Sequence, residues 1–233
     1  MTVPAAVPVP VAVALDAPDG DTAARWAALV APHVAVLKIG LELFCAEGPA
    51  VVDRIRTAGT GIFLDVKLHD IPHTVAGAAR SLARLQPRYL TVHAPGGRDM
   101  IRAAVDAAPD VTIAAVTVLT SLGGQELADV GVSGAPVDVV RRLSALAVAA
   151  GAGAIVCSPE EVAAVRAEVG PGVVLITPGI RPAGAALGDQ TRVATPEQAL
   201  AAGAELLVIG RQITAAADPA AAAAAIAASL RRR

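Results

Sequence analysis

The sequence predicts an α/β fold in which eight parallel strands and their helices close a barrel of one domain. Short β-branched, apolar runs alternate eight times with longer alanine- and leucine-rich amphipathic runs, which is the order of a repeated βα unit. The strand runs are continuously apolar, as a parallel sheet covered on both faces requires. The length of 233 residues also suits a (β/α)8 TIM barrel, which takes roughly 200–250 residues.

Each element follows from this pattern in chain order. The first strand is predicted at 11–15, just before Asp16, and its helix at 22–30. The later strands are predicted at 34–39, 62–66, 89–93, 111–119, 154–157, 173–177 and 206–209. The later helices are predicted around 49–58, after Ile71, and at 98–107, 137–149, 159–169, 196–202 and 220–230.

No linker, charge run or shift in composition divides the chain, so a single domain is predicted over residues 1–233. Residues 1–8 are predicted to form a loose N-terminal leader, and residues 1–15 lack the basic start of a signal peptide. An open doubly wound sheet is the alternative fold. That fold typically has a Gly-x-Gly-x-x-Gly turn after its first strand, and the sequence has none there.

The composition argues against several classes of protein. A net charge of −2 and 2% aromatic residues disfavour a nucleic-acid binder that relies on phosphate contacts or base stacking. No stretch of about 20 strongly apolar, uncharged residues occurs, so no membrane span is expected. Two cysteines, Cys45 and Cys157, are too few for a disulfide framework or a four-thiolate zinc site. We therefore expect reduced thiols in a cytoplasmic protein.

Polar side chains gather at the predicted carboxyl ends of the strands, where barrels of this kind carry function. Any one of them alone is more simply a turn residue, a solvated charge or a buried histidine, but their coincidence at one end indicates a site. They are Asp16, Lys38, Asp65, Lys67, Asp70, His93, Thr120, Ser121, Arg181 and Arg211.

The densest group of these residues follows strand three. Alternation along a strand places Asp65 and Lys67 on one face, and Asp70 lies where the loop turns. Opposite charges keep each other ionised against desolvation, and a lysine held in this way can deliver a proton to a carbanion. A buried ion pair with a purely structural role would stabilise little once desolvation is counted, so this group favours catalysis.

Two arginines form the second signal. Arg181 follows strand seven, and Arg211 follows Gly210 at the end of strand eight. Loops at these positions form the usual phosphate site of the fold. Gly210 allows a backbone N–H to approach an anion, and Arg211 can bind phosphate oxygens with its planar set of donors. The alternative, surface arginines that cap helices, fits the C-terminal arginines at 231–233 better.

The chain resembles the orotidine 5′-phosphate decarboxylases. The core of the resemblance is Asp65-x-Lys67-x-x-Asp70-Ile71-Pro72-x-Thr74, a pattern that related sugar-phosphate enzymes share in part. Further matching segments cover nearly the whole chain, at 13–16, 38–40, 93–97, 118–121, 156–158, 177–182, 188–190 and 209–211. One departure is His73, where the bacterial members have Asn.

The resemblance implies decarboxylation of orotidine 5′-phosphate to uridine 5′-phosphate, the last step of de novo UMP synthesis, with no cofactor and no metal. Lys67 would protonate C6 of the pyrimidine as the carboxyl group departs. Asp65 and Asp70 would flank that carboxyl group, and Lys38 would complete an alternating charge network.

The resemblance also implies a homodimer with shared active sites, in which Asp70 and Thr74 serve the partner's site and Ile71 lines it. Among the other substrate contacts, Asp16 and Lys38 would bind the ribose hydroxyls, and Asp65 would lie beside the carboxyl group. Thr120 would bind the pyrimidine amide edge. The phosphate end would be bound by Arg181, Gln190, Gly210 and Arg211, with Gln190 reaching toward the base.

Two other functions stay open at this point. A sugar-phosphate lyase of the same superfamily, such as a hexulose-phosphate synthase, would use a divalent metal and an enediolate. Thr120 and the Gly-Asp-Gln segment at 188–190 favour a pyrimidine ligand instead. The second possibility is an inactive barrel that acts as a binding or scaffold protein, and the intact set of Asp65, Lys67 and Asp70 argues against it.

Overall fold

The strands close a barrel because each pairs in parallel with the next, and the last pairs with the first. In the computed structural model, which describes residues 9–57, 59–181 and 193–231, eight strands run in the order β1 to β8. β1 (Val9–Ala14) meets β8 (Leu206–Ile209), with Ala12 opposite Val208. The predicted single-domain TIM barrel is confirmed, and the predicted leader at 1–8 lies outside the described residues.

Strands and helices alternate around the barrel. The other strands are β2 (Val34–Gly40), β3 (Gly61–Leu68), β4 (Tyr89–His93), β5 (Thr112–Val116), β6 (Ala154–Val156) and β7 (Val174–Thr177). The helices are α1 (Gly20–Val30), α2 (Leu41–Glu47), α3 (Ala50–Ile55), α4 (Pro72–Ala83), α5 (Gly97–Ala107), α6 (Gly124–Asp129), α7 (Pro136–Ala149), α8 (Val162–Val169), α9 (Pro196–Ala201), α10 (Arg211–Thr214) and α11 (Pro219–Arg231). Within the described ranges, no helix has the length and apolar character to span a membrane.

Strand five is shorter than the sequence predicts. β5 ends at Val116 rather than at residue 119, and Val116 pairs with Val156, the last residue of the neighbouring β6. The Thr117 N–H and hydroxyl both donate to the carbonyl oxygen of Val156, at 3.2 and 2.9 Å. Val118 and Leu119 continue the apolar run as walls of a cavity instead of as a strand.

Other boundaries also differ from the prediction. β3 continues to Leu68, two residues past its predicted end, so Asp65 and Lys67 both lie within the strand. α2, α6 and α10 were not predicted, because segments of one or two turns are too short to show a helical repeat. The helix predicted around 49–58 is confined to Ala50–Ile55, and residue 58 lies outside the described residues.

One layer of side chains fills the inside of the barrel. Every strand contributes to it: Ala12, Val36, Phe63, Tyr89, Ala114, Ala154, Ile176 and Leu206. The rings of Phe63 and Tyr89 meet edge to face with centroids 5.7 Å apart. Alanine at three of the positions leaves room for these two rings, as the alternation of small and large residues in a small barrel requires. The barrel interior is therefore closed by this packed apolar layer, which we call the barrel floor.

Side-chain alternation carries the functional residues above this floor. The residues between the inward positions, such as Leu37 and Ile39 in β2, face outward and pack under the helices. The next inward position on each strand lies two residues closer to its carboxyl end. Lys38 therefore stands above Val36, and Asp65 stands above Phe63.

Candidate active site

An open cavity lies at the carboxyl ends of the strands, directly above the barrel floor. Its volume is about 420 Å³, within the roughly 300–1,000 Å³ of small-molecule sites. Its wall is apolar at Val116, Val156 and Val208, near the carboxyl ends of β5, β6 and β8, and charged at Lys38 and Asp65 in β2 and β3. The cavity thus has an apolar side and a charged side.

Four charged side chains of alternating sign run along the charged side. Asp16 Oδ1 lies 3.3 Å from Lys38 Nζ, and the same nitrogen lies 3.3 Å from Asp65 Oδ2. Asp65 Oδ1 lies 2.8 Å from Lys67 Nζ. The two middle side chains, Lys38 and Asp65, are 7% and 14% exposed, whereas Lys67 and Asp16 at the ends are 26% and 53% exposed. Asp65 therefore bridges two ammonium groups, with one carboxylate oxygen for each.

Asp65 stays ionised in this environment. Burial alone would raise the pKa of its carboxyl group, but the charges and hydrogen bonds of Lys38 and Lys67 outweigh burial and lower the pKa below its ordinary value. The three groups consequently form a cation–anion–cation unit at neutral pH. Lys67, the more exposed of the two cations, faces the cavity.

The β3 backbone departs from regular strand geometry beside this unit. Lys67 has a φ of 48°, in the left-handed region that residues other than glycine rarely adopt. Its N–H donates to Thr91 Oγ1 at 2.8 Å, and Thr91 Oγ1 lies 3.1 Å from Asp65 Oδ1. Thr91 is fully buried, and the sequence analysis missed it. A polar residue between Leu90 and Val92 in an apolar strand is the signal that could have revealed it.

Gly40 leaves the space in which the first ion pair forms. A Cβ atom at this position would lie 2.8 Å from Asp16 Oδ1 and 3.0 Å from Lys38 Nζ. The first of these contacts is shorter than real Cβ contacts, so a side chain at this position would require the Asp16 carboxylate to move. The sequence analysis gave Gly40 no role beside this ion pair.

Two arginines contribute to another part of the cavity wall. Arg181 follows β7, and its Nη1 donates to the Ile180 carbonyl oxygen at 3.0 Å and to Gln212 Oε1 at 3.2 Å. Arg211 begins α10 directly after Gly210. The predicted site residues that line this one cavity are Asp16, Lys38, Asp65, Lys67, Thr120, Ser121, Arg181, Gly210 and Arg211.

Three predicted site residues do not reach the cavity of their own chain. Asp70, Ile71 and Thr74 are exposed at the loop before α4 and in its first turn, and Ile71 is 65% exposed. Asp70 Oδ1 accepts a hydrogen bond from the Ile71 N–H at 2.6 Å. Asp70 and Ile71 border a separate shallow depression, together with Pro72 and Pro95. Gln190, which the sequence analysis also predicted, lies outside the described residues.

A family model described as "Orotidine 5'-phosphate decarboxylase / HUMPS family" matches residues 10–226. The chain belongs to this family. The match begins in β1 and ends in α11, so it takes in every strand of the barrel as well as the cavity. The resemblance drawn from the sequence motifs is therefore confirmed.

Individual relatives carry the decarboxylase name. A protein named orotidine 5′-phosphate decarboxylase from Thermobifida fusca is 69% identical over 224 residues, which cover 96% of each chain. One of the same name from Frankia casuarinae is 60% identical over 239 residues, which cover 95% of this chain and 87% of the relative. The crystal structure of orotidine 5′-phosphate decarboxylase from Lactobacillus acidophilus aligns with a TM-score of 0.82 at 35% identity, covering 94% of this chain and 97% of that one.

The two lysines of this member of the decarboxylase family both lie at the cavity. The chain contains two lysines, Lys38 and Lys67, and all its other basic side chains apart from histidine are arginines. Both lysines belong to the charged wall of the cavity. An ammonium group can release its proton, whereas a guanidinium group keeps its own. Both lysines of the chain therefore pair with the same carboxylate, that of Asp65.

His93 lies at the end of β4, beside the charged wall. Its ring is half-buried, and its centroid is 5.5 Å from that of His69. Burial, the neighbouring His69 and the Lys67 ammonium lower the pKa of His93, and Asp65 opposes them only in part. The folded chain therefore binds a proton at His93 less readily than the unfolded chain does.

This difference predicts how stability depends on pH. As the pH falls through the ordinary histidine value of about 6.5, the unfolded chain binds more protons at this position than the folded chain, so the free energy of unfolding decreases. We expect His93→Asn to show a smaller decrease than the unchanged protein between about pH 7 and about pH 5.5, measured by urea denaturation. The other three histidines are the same in both proteins. Equal decreases would contradict the role given to His93.

Proposed function

We propose that this chain decarboxylates orotidine 5′-phosphate to uridine 5′-phosphate, the last step of de novo UMP synthesis, without a cofactor. The observation that carries the proposal is the run of alternating charges from Asp16 to Lys67, in a cavity that two arginines also line. The 69% identity to a protein of that name supports the same reaction.

Lys67 is the proposed proton donor. When CO₂ leaves, the electron pair of the broken C–C bond remains on C6 of the pyrimidine, and no adjacent π system delocalises it. An ammonium group fixed beside C6 stabilises this charge as it develops. It then transfers a proton to C6, becomes a neutral amine and is reprotonated from solvent.

Asp65 is proposed to hold both ammonium groups in place beside the substrate carboxyl group. Without its carboxylate, the Lys38 and Lys67 side chains would repel each other, and the lowered pKa keeps this carboxylate charged. Asp16 and Lys38, paired at 3.3 Å on the more open side of the wall, are proposed to bind the ribose hydroxyls. The charged wall would then contact the sugar and the reacting carbon together.

The phosphate is proposed to bind Arg181, Gly210 and Arg211. Arginine matches phosphate with several donors in one plane, and Gly210 has no side chain to keep an anion from the backbone. Thr120 is proposed to bind the pyrimidine amide edge, and Gln190 to reach from the phosphate end toward the base. Binding energy from the phosphate, remote from C6, is then available to hold the substrate in its reactive position.

A homodimer with shared active sites is proposed from the three exposed residues. Asp70, Ile71 and Thr74 are exposed and do not line the cavity of their own chain. Ile71, a large apolar side chain, is 65% exposed. A second copy would cover Ile71 and receive Asp70 beside its own Lys67. Asp70 would then complete the Lys38–Asp65–Lys67 network from the partner chain. The cytoplasm is the proposed location, since Cys45 and Cys157 do not form a disulfide bond.

Replacement of Lys67 tests the reaction and the proton donor together. Lys67→Ala should lower kcat on orotidine 5′-phosphate by at least about a thousandfold, since it removes both the acid and the stabilising cation, while uridine 5′-phosphate still binds. Lys67→Arg should also be nearly inactive, because it keeps a cation that does not release its proton. Turnover is followed by ultraviolet absorbance, with and without a chelator.

Two results would contradict this proposal. Near wild-type turnover in Lys67→Ala would remove Lys67 from the proton-donor role. Loss of activity of the unchanged protein on adding a chelator would favour the metal-dependent synthase chemistry that the same family includes.

Mixing two inactive variants tests the shared site. In a mixed dimer of Lys67→Ala and Asp70→Ala chains, one site receives both intact residues and the other receives neither. Equal amounts with random exchange should therefore recover about a quarter of the wild-type activity. Each variant alone should stay inactive, and exchange is verified with two affinity tags. Failure to recover activity after verified exchange would place Asp70 outside the neighbouring site.

Truncation of Arg211 tests the phosphate assignment. A charge-assisted hydrogen bond to phosphate contributes about 1.5–3 kcal/mol, so Arg211→Ala should lower kcat/KM by at least about tenfold. The nucleoside orotidine, which lacks the phosphate, should react at nearly the same rate with the variant and with the unchanged protein. An equal loss on both substrates would instead mean that Arg211 supports the structure or binds the base.

A further inference from the structure

We infer that Thr91 is a positioning residue, whose hydroxyl group fixes the Lys67 backbone and the Asp65 carboxylate as one unit. The inference rests on the proposed function, because it concerns how the proton donor is held. Thr91 does not line the cavity and is fully buried, so any effect on the substrate must act through Asp65 and Lys67.

The pairing of β3 with β4 is interrupted at this point. Leu64 pairs with Leu90, and the next pair is Leu68 with Val92. Three residues of β3, at 65–67, therefore lie opposite a single residue of β4, which is Thr91. The backbone of β4 offers too few partners for this longer segment, and a bulge of this kind is typical beside active sites.

The Thr91 hydroxyl substitutes for the missing backbone partner. It accepts a hydrogen bond from the Lys67 N–H at 2.8 Å and donates to Asp65 Oδ1 at 3.1 Å. The Leu64 carbonyl oxygen, at 3.5 Å, is a more distant alternative acceptor. One hydroxyl thus joins the backbone of the proton donor to the carboxylate that holds its side chain.

The backbone conformation of Lys67 gives this link its importance. A non-glycine residue with φ of 48° is held there by its surroundings, since an isolated lysine would prefer an extended or right-handed conformation. Loss of the acceptor for its N–H would remove one of the interactions that hold Lys67 in this conformation. Lys67 Nζ would then move relative to Asp65 and to the reacting carbon, and small displacements of a catalytic group are costly in rate.

Replacement of Thr91 by valine tests the hydroxyl group most directly, because valine keeps the branched shape of threonine and removes only the hydroxyl. We expect Thr91→Val to lower kcat by about ten- to a hundredfold, while KM and the dissociation constant of uridine 5′-phosphate change by less than about threefold. Thr91→Ser, which keeps the hydroxyl, should restore kcat to within about threefold of the unchanged protein. If Thr91→Val does not fold, Thr91→Ala is compared with Thr91→Ser instead. These two variants also differ by the hydroxyl group, on a smaller side chain.

Thr117→Val is the matched control. Thr117 is a buried threonine just beyond β5, and its hydroxyl donates to the Val156 carbonyl oxygen at 2.9 Å rather than to a charged group. The control should lose stability by a similar amount and keep kcat within about threefold. An equal loss of kcat in both valine variants would overturn the inference, because it would reduce Thr91 to a structural role.

Amide hydrogen exchange gives a readout that does not depend on activity. With two lysines in the chain, protein labelled with ¹⁵N-lysine shows one backbone amide signal for Lys38 and one for Lys67, and Lys67→Ala identifies the second. We expect Thr91→Val to speed exchange of the Lys67 amide by at least about tenfold and to leave the Lys38 amide, in regularly paired β2, unchanged. Unchanged exchange at Lys67 would overturn the inference. If the unchanged protein does not turn over orotidine 5′-phosphate, the proposed function fails, and the exchange result alone decides the role of Thr91.

Discussion

The Asp65 carboxylate lies between two ammonium groups, with one oxygen 3.3 Å from Lys38 Nζ and the other 2.8 Å from Lys67 Nζ. Removing one partner from a buried ion pair leaves an uncompensated charge and costs about 3–5 kcal/mol, so the two most buried groups, Lys38 and Asp65, depend on each other. Gly40 and Thr91 serve the same group: one leaves room for the first ion pair, and the other donates to the carboxylate. The charged wall therefore depends on Asp65 at its centre.

The barrel supports this wall by placing it on a close-packed layer. Phe63 and Tyr89 fill the interior directly below the inward positions of Asp65 and Thr91, two residues further along the same strands. Packed interiors deform little, so the charged side chains above them keep their spacing. A buried ion network contributes little to stability compared with an apolar core of equal volume. Its presence above a complete apolar floor is consistent with a catalytic rather than a stabilising role.

The charged wall and the two arginines lie in one cavity but come from opposite parts of the chain. Lys38, Asp65 and Lys67 belong to β2 and β3, whereas Arg181 and Arg211 follow β7 and β8. Closure of the barrel between β1 and β8 brings these two halves side by side. A ligand that carries a phosphate at one end and a carboxylate at the other fits this distribution of charge. The barrel topology thus sets the polarity of the site.

The sequence by itself determined the barrel and the order of its strands and helices, because strand periodicity and the order of elements are local patterns. The tertiary structure decided what depends on neighbouring strands. β5 ends at Val116, which pairs with the last residue of β6, Val156. Lys67 has a left-handed backbone conformation, and its N–H donates to Thr91, 24 residues away in the chain. Such features arise from the register between strands, a long-range property that the residues around Lys67 do not encode.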